Sequence, residues 1–248
     1  MKIATWNVNG IRAREAQVLE LIARERPDVL CLQEIKAPPA RVPPSLCELE
    51  GYFCLWHGAT AYSGVGLHVR RELVAAAPAF VHPPFDIETR IAVVVVPGAT
   101  VASVYVPNGG KDYQAKLRFL EAMGHWAGEE EAAGRPVVVA GDLNVARTDR
   151  DVHPKERKAG AIGQREDERA LLEAVVGHGL VDVGRAAAPD DDGLFTSWAP
   201  WRNLRQRNIG WRIDYVLASA PLAARARRCA VLADFGTSDH APVVAEFQ

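Results

Sequence analysis

A chain of 248 residues, 48% hydrophobic and 24% charged, has the composition of a packed globular protein, and no apolar run approaches the roughly 20 residues of a membrane-crossing helix. The formal net charge of −2 excludes bulk attraction to a polyanion, so a nucleic acid would have to be gripped by a local basic patch. The four cysteines, Cys31, Cys47, Cys54 and Cys229, show no CxxC pair or other zinc spacing, which reads as free thiols in a reducing, cytoplasmic setting.

Lys2 to Trp6 reads as a short strand, with neither a secretory apolar core nor a cleavage site, and it ends in the turn signal Asn7-Val8-Asn9-Gly10. Val18, Leu19, Leu21 and Ile22 recur at helical spacing between Ile11 and Glu25, and Pro27-Asp28 stops that helix. Val29 to Leu32 is then a buried strand running into Gln33-Glu34. This β-α-β order predicts a parallel pair whose ends place Asn7 and Glu34 on one edge of a sheet. Prolines 38, 39, 43 and 44 make a loop, with a short helix from Ser45 to Glu50. Tyr52–His57, Val65–Arg70, Ile91–Val96 and Val101–Val106 follow as strands, close enough together to suggest antiparallel pairing. Gln114 to Glu131 is an amphipathic helix, and Pro136 to Ala140 a strand that ends in Gly141-Asp142-Leu143-Asn144. Arg147 to Gly163 is polar and irregular, and Glu166 to Val176 is helical. Asp190-Asp191-Asp192-Gly193 reads as a solvated turn, because consecutive side chains diverge. Trp198 to Arg212 is aromatic and basic with no acidic residue in it. Ile213 to Leu217 is a strand, and Ser238-Asp239-His240 leads into a closing core strand, Val243 to Phe247. With no linker, composition break or repeat, residues 1–248 read as one domain.

Five strand ends thus carry polar groups that a core strand does not need: Asn7, Glu34, Asp142 with Asn144, Asp214, and Asp239 with His240. Singly, each has a plain explanation as a turn or a cap. Together, carboxylate, amide and imidazole are the groups that metal-assisted hydrolysis of a phosphate ester requires. Carboxylate oxygens suit Mg²⁺, or Mn²⁺, while amide and imidazole donors suit the phosphate oxygens on which charge accumulates.

The blocks Trp6-Asn7-Val8-Asn9-Gly10, Leu32-Gln33-Glu34, Tyr105-Val106-Pro107-Asn108, Gly141-Asp142-Leu143-Asn144, Trp211-Arg212-Ile213-Asp214-Tyr215 and Ser238-Asp239-His240-Ala241-Pro242 occur in this order. In that order the chain resembles the exonuclease III family of apurinic/apyrimidinic endonucleases, within the endonuclease–exonuclease–phosphatase superfamily. The resemblance implies an α/β fold, a four-layered α/β sandwich with two mixed β-sheets packed face to face and helices outside. It implies a Mg²⁺-dependent DNA repair nuclease that hydrolyses phosphodiesters 5′ to abasic sites, with 3′→5′ exonuclease and 3′-end-cleaning activity. Its partner would be double-stranded DNA with abasic sites or 3′ ends, engaged by a monomer.

Carried over by position, Glu34 is the principal metal ligand, Asn7 supports that site, and Asp239 serves the metal region. A second ion would also draw on Asp142, Asn144 and His240. Asp142 is the candidate base for the attacking water, with Asn144 fixing Asp142 or the phosphate. His240 would hydrogen-bond a phosphate oxygen while Asp214 holds its other nitrogen, raising the His pKa. Tyr105 and Asn108 would contact the phosphate, Tyr105 near the leaving oxygen. The family's abasic pocket has an aromatic wall. Trp211 and Ile213 match the pocket, while Ser197 aligns with the wall, unless a shift of one residue brings Trp198 in. Trp201 falls where the family inserts a side chain into DNA, and packing against its own loop is the alternative. Arg202, Arg205, Arg207 and Arg212, with Lys111 on the opposite loop, would meet backbone phosphates. Arg90 is either a further contact or a surface ion pair. Two other readings remain open: a same-fold phosphoesterase acting on RNA or another ester, and a catalytically silent nucleic-acid-binding regulator.

Overall fold

The computed structural model describes residues 1–248. In chain order the elements are β1 (Lys2–Asn7), α1 (Glu15–Glu25), β2 (Val29–Gln33), α2 (Pro44–Cys47), β3 (Tyr52–His57), β4 (Val65–Arg70), β5 (Phe80–Val81), β6 (Ile91–Val96), β7 (Ala99–Tyr105), α3 (Tyr113–Ala132), β8 (Val137–Asp142), α4 (Glu166–Gly177), β9 (Leu180–Asp182), α5 (Val183–Ala187), β10 (Asp214–Ser219), α6 (Ala220–Ala223), β11 (Ala226–Val231) and β12 (Val243–Phe247). They form two mixed six-stranded sheets, ordered β11-β12-β1-β2-β4-β3 and β5-β6-β7-β8-β10-β9.

Alternation along the strands builds three apolar layers. In β2, Val29 and Cys31 face the second sheet and join a core that includes Ile3, Leu67, Val94, Val101 and Val138. Leu30 and Leu32 face the other way, with Ala4 and Trp6, against Val18, Leu21 and Ile22 of α1. On the far side of the second sheet, Val104, Val139 and Leu217 meet Phe119, Leu120 and Met123 of α3 and Leu172 and Val175 of α4. Both sheets are therefore covered on both faces, which is why their central strands are almost wholly apolar. The result is the four-layered sandwich expected from the motifs. No helix is long and apolar enough to cross a membrane.

The β1-α1-β2 unit is parallel as predicted, with Asn7 opposite Gln33. The four middle strands do pair antiparallel, but as two hairpins in different sheets: β3 with β4 in the first, β6 with β7 in the second. The helix read from Ile11 starts with a 3-10 turn, Ile11–Ala13, before α1 proper. α1 closes on Arg26, which takes a left-handed conformation (φ 47°) just before Pro27. Asp112 caps α3 by accepting a 2.9 Å bond from the Ala115 N–H.

Strand direction decides where the polar ends meet. β1 and β2 are parallel, as are β7 and β8, so Asn7, Gln33, Tyr105 and Asp142 lie where these strands leave the sheets. β10 and β12 run antiparallel to their neighbours, so Asp214 and the Asp239-His240 segment lie where strands enter. All these positions fall on one edge of the sandwich.

Candidate active site

The centre of that edge is Asp142, buried and opposite Asp214 in the β8–β10 register. The Asn7 side-chain N–H donates to its Oδ2 at 2.8 Å, and the Asn144 backbone N–H donates to Oδ1 at 2.9 Å. Asn144 is held in turn by its amide, which donates to the Val106 carbonyl at 2.9 Å. His240 Nδ1 lies 2.9 Å from Asp214 Oδ2, and its Nε2 lies 4.0 Å from Asp142 Oδ2. The carboxylate fixes the proton on Nδ1 and turns Nε2 towards the site. Asp214 is itself held by Thr196, whose hydroxyl donates to Oδ2 at 2.6 Å and accepts the Asp214 backbone N–H at 3.1 Å. Ser238 closes the back of the site: its hydroxyl donates to the Asn7 carbonyl at 2.7 Å and accepts the His240 N–H at 3.3 Å. The Trp6 indole N–H donates to the His240 carbonyl at 3.0 Å.

Glu34 and Asp239 form a second group beside Asn7. Glu34 Oε1 is 2.8 Å from the Lys36 ammonium, which also donates to the Asn9 side chain. The Asn9 amide donates to Asp239 Oδ1 at 2.8 Å, and its backbone N–H donates to Asn7 Oδ1 at 3.0 Å. Asn9, Glu34, Lys36 and Asn144 all have positive φ, between 44° and 55°. Four non-glycine residues in this sparsely populated region, gathered at one edge, mark a site whose backbone is held against its preference.

The electrostatics follow from burial and proximity. Burial pushes the Asp142 carboxyl up, to about 7; the His240 charge opposes this, Asp214 adds to it, and hydrogen bonds from Asn7 and Asn144 oppose it. Burial would lower His240, but the carboxylates of Asp214 and Asp142 outweigh it and raise the imidazole to about 10. A cationic imidazole therefore shares the site with a carboxylate that titrates near neutrality. Burial, then the charges of Glu34 and Asp142, pushes the Tyr105 phenol up, so its hydroxyl stays a donor.

Several expectations for DNA contact do not survive the packing. Arg212 is buried, and its guanidinium is 2.7 Å from Asp151 and 2.7 Å from Asp182. The Trp198–Arg212 stretch has no acid of its own, but two distant segments supply them. Arg205 spends its guanidinium on main-chain carbonyls, donating to Ala233 at 2.7 Å, Phe235 at 2.8 Å and Ser238 at 2.7 Å. It braces the turn that presents Asp239 and His240. Arg90 is buried against Tyr105 and Tyr62 and paired at 2.8 Å with the exposed carboxylate of Glu88, so it is an ion pair with a buried guanidinium. Trp198 is buried with Phe195 and Ala241, its indole N–H donating to Asn208. Its ring packs there, against the expectation that a one-residue shift would bring it into the pocket wall. The hydroxyl of Ser197, the residue before Trp198, lies 3.3 Å from His240 Nε2.

Trp211 and Ile213 do come together, with Ala146 and Val152, in a small apolar patch. Trp201 is 60% exposed, and Arg202, Arg207, Asn108 and Lys111 are exposed, Lys111 with its ammonium 3.7 Å from the Glu88 carboxylate.

The sequence reading missed Thr196, Asn9, Lys36 and a buried pair, Lys116–Glu168. Lys36 lies two residues from Glu34, the one signal that would have found it; Thr196 carries none. The Lys116 ammonium pairs with Glu168 in full burial and donates to the Asn144 carbonyl at 2.8 Å. Glu168 accepts the Arg165 N–H at 3.0 Å. The pair therefore ties α3 and α4 to the turn that carries Asn144. Lys116→Met leaves Glu168 buried without its partner and is expected to cost about 3–5 kcal/mol. Urea unfolding measures it; a loss under about 1 kcal/mol would mean that water reaches the pair.

Comparison with known proteins agrees with this geometry. The model of the Endonuclease/Exonuclease/phosphatase family matches residues 4–240. The chain is 32% identical to an exodeoxyribonuclease of Bacillus subtilis over 250 residues, 98% of each chain. It is 31% identical to recombination repair protein 1 of Drosophila melanogaster, spanning 37% of that protein's length. An AP endonuclease from Archaeoglobus fulgidus superposes with a TM-score of 0.89 at 31% identity, covering 100% of this chain and 99% of that one. A Neisseria 3′ phosphatase bound to product DNA hairpin superposes with a TM-score of 0.89 at 32% identity and the same coverage. The chain belongs to the endonuclease/exonuclease/phosphatase family, among its exonuclease III and apurinic/apyrimidinic endonuclease members.

Proposed function

We propose that the protein is a Mg²⁺-dependent DNA repair nuclease that hydrolyses the phosphodiester 5′ to an abasic site and processes 3′ ends. The observation that carries this reading is a buried carboxylate and a cationic imidazole, Asp142 and His240, 4.0 Å apart at one sheet edge. The Archaeoglobus AP endonuclease and the DNA-bound Neisseria 3′ phosphatase support DNA as the substrate.

The donor set beside Asn7 fits a hard cation: Glu34 and Asp239 carboxylates and the Asn7 side-chain oxygen, with no thiol near. Glu34, Asn7 and Asp239 would hold Mg²⁺, or Mn²⁺. Such an ion, when bound, offsets charge on the phosphate oxygens. Asp142 accepts a proton from the attacking water as the water oxygen bonds to phosphorus and the bond to the 3′ oxygen breaks. His240 donates from Nε2 to a non-bridging oxygen, and Asp214 keeps it oriented and charged. Tyr105 donates to the leaving oxygen, and Asn144 holds Asp142. Exposed Lys111, Asn108, Arg202 and Arg207 would follow the DNA backbone and exposed Trp201 would insert into the duplex, with Trp211 and Ile213 beside the flipped-out sugar. The protein would act as a monomer, in the cytoplasm.

The test is a duplex with one abasic site, incubated with Mg²⁺ or with EDTA. Metal-dependent incision by the wild type is expected. Binding without incision would favour a silent regulator, and turnover only of RNA or a small phosphate ester would favour a different substrate. A second balance of activities, with 3′-end processing above abasic incision, is favoured by Ser197. Its hydroxyl stands at His240 while the Trp198 indole is buried elsewhere, which supports a pocket wall without an aromatic side chain on that side. Ser197→Trp is then expected to raise abasic incision relative to 3′-phosphate release on matched duplexes.

A further inference from the structure

At the flank of the same edge, the last residue of β3 meets the connection between β5 and β6. His57 Nε2 lies 2.6 Å from Asp86 Oδ2. The rings of His57 and His82 stack with centroids 3.7 Å apart and planes 16° from parallel. One ligand atom from each of the three residues lies within 4.8 Å of the others. None of the three takes part in the chemistry assigned to Asp142 and His240. We propose that His57, His82 and Asp86 form a separate binding site for Zn²⁺.

The donor set distinguishes this site from the oxygen-rich group at Glu34. Two imidazoles and one carboxylate suit Zn²⁺, which takes three protein ligands and completes its tetrahedron with water. The groups behind the ligands are already in place. His82 Nδ1 is 3.2 Å from the Ile91 carbonyl, which can only accept, so the proton sits on Nδ1 and Nε2 presents its lone pair. Asp86 Oδ1 accepts the backbone N–H groups of Arg90 at 2.7 Å and Ile91 at 3.1 Å, which leaves Oδ2 facing the histidines. The ring of His82 contributes nothing to the His57–Asp86 hydrogen bond, yet it is held against His57 with one nitrogen unused. Zn–ligand bonds of about 2.0–2.1 Å keep ligand atoms roughly 3.3 Å apart. The His57–Asp86 pair therefore opens slightly on binding, and the exposed His82 ring turns to bring Nε2 in. His57 and Asp86 are partly exposed, at 21% and 12%, so an ion has a route in.

The site would act as a clip. His57 belongs to one sheet and the segment from His82 to Asp86 to the other, so an ion joins the two sheets at the rim of the active site. Asp86 also anchors the backbone of Arg90, whose guanidinium lies over the Tyr105 ring at 4.7 Å. Zn²⁺ at the clip would stiffen the wall that carries Tyr105.

The experiment is a calorimetric titration of Zn²⁺ into wild type and His82→Ala, with Mg²⁺ saturating the catalytic site, and melting curves of both with and without Zn²⁺. His82 is exposed, so the variant should melt as the wild type does without Zn²⁺. The wild type is expected to bind one Zn²⁺ that His82→Ala binds at least tenfold more weakly, and only the wild type should gain melting temperature from it. His57→Ala should repeat the loss. Equal Zn²⁺ affinity and equal thermal response in wild type and both variants would overturn the site, as would a wild type that binds no Zn²⁺ under these conditions.

Discussion

Asp142→Asn is expected to lower turnover by about 10²–10⁴-fold on an abasic duplex while DNA affinity stays near that of the wild type. The amide keeps the shape and one acceptor oxygen, enough for the bond from either Asn7 or the Asn144 N–H but not both, and it cannot take a proton from water. Single-turnover incision and a binding titration separate the two effects. Equal losses in both would make Asp142 a folding or binding residue. The same substitution should also change how stability depends on pH. Without metal, the folded-state pKa of Asp142, about 7, lies above its ordinary value of 3.8. Its contribution is thus fully present below pH ~4 and is lost as pH rises through about 7, because ionisation inside the protein is costly. Asp142→Asn removes that loss, so the metal-free variant should lose less stability than the wild type as pH rises from ~4 to ~8. Melting temperatures across pH 4 to 8 test this.

His240→Gln is expected to reduce kcat/KM by about 10²–10³-fold, the usual effect of removing one donor to a developing anionic oxygen. Its partner offers a sharper test. His240 is raised to about 10 by Asp214 and Asp142, so the charged form, and the stability it lends, persists from below pH ~6.5 and is lost as pH rises through about 10. Activity should therefore fall on an alkaline limb near that value, as a property of the coupled pair. Asp214→Asn removes the nearest charge and should move the limb down towards the ordinary histidine range of about 6.5. The pH profile of kcat/KM, with histidine titration by NMR, reads this directly. An unmoved limb would detach His240 from the alkaline transition.

The sequence alone determined nine of the twelve strands, because their apolar runs and Gly, Pro and Asn breaks are local signals. β3, β4, β6 and β12 appear at the predicted bounds, β1, β2, β7, β8 and β10 differ by one or two residues at their ends, and the short or edge strands β5, β9 and β11 were not read from the sequence. The polar residues at strand ends were legible for the same reason: a carboxylate or imidazole beside an apolar run is conspicuous wherever the strand is placed. Asn7, Glu34, Asp142, Asp214 and His240 were found in this way. What only the tertiary structure decided was which charges remain free. Arg212 and Arg205 stand in a stretch without acids, yet Asp151, Asp182 and the carbonyls of the 233–238 turn claim them from distant segments. Pairing of that kind depends on which loops the fold brings together, and composition within a window does not report it. The same holds for Ser197 and Trp198. Their order in the chain is plain, but the bridges of Ser197 to Trp211 and His240 determine which side chain faces the site. Spacing identified the residues that can do chemistry, and packing assigned each one to the site or to the scaffold.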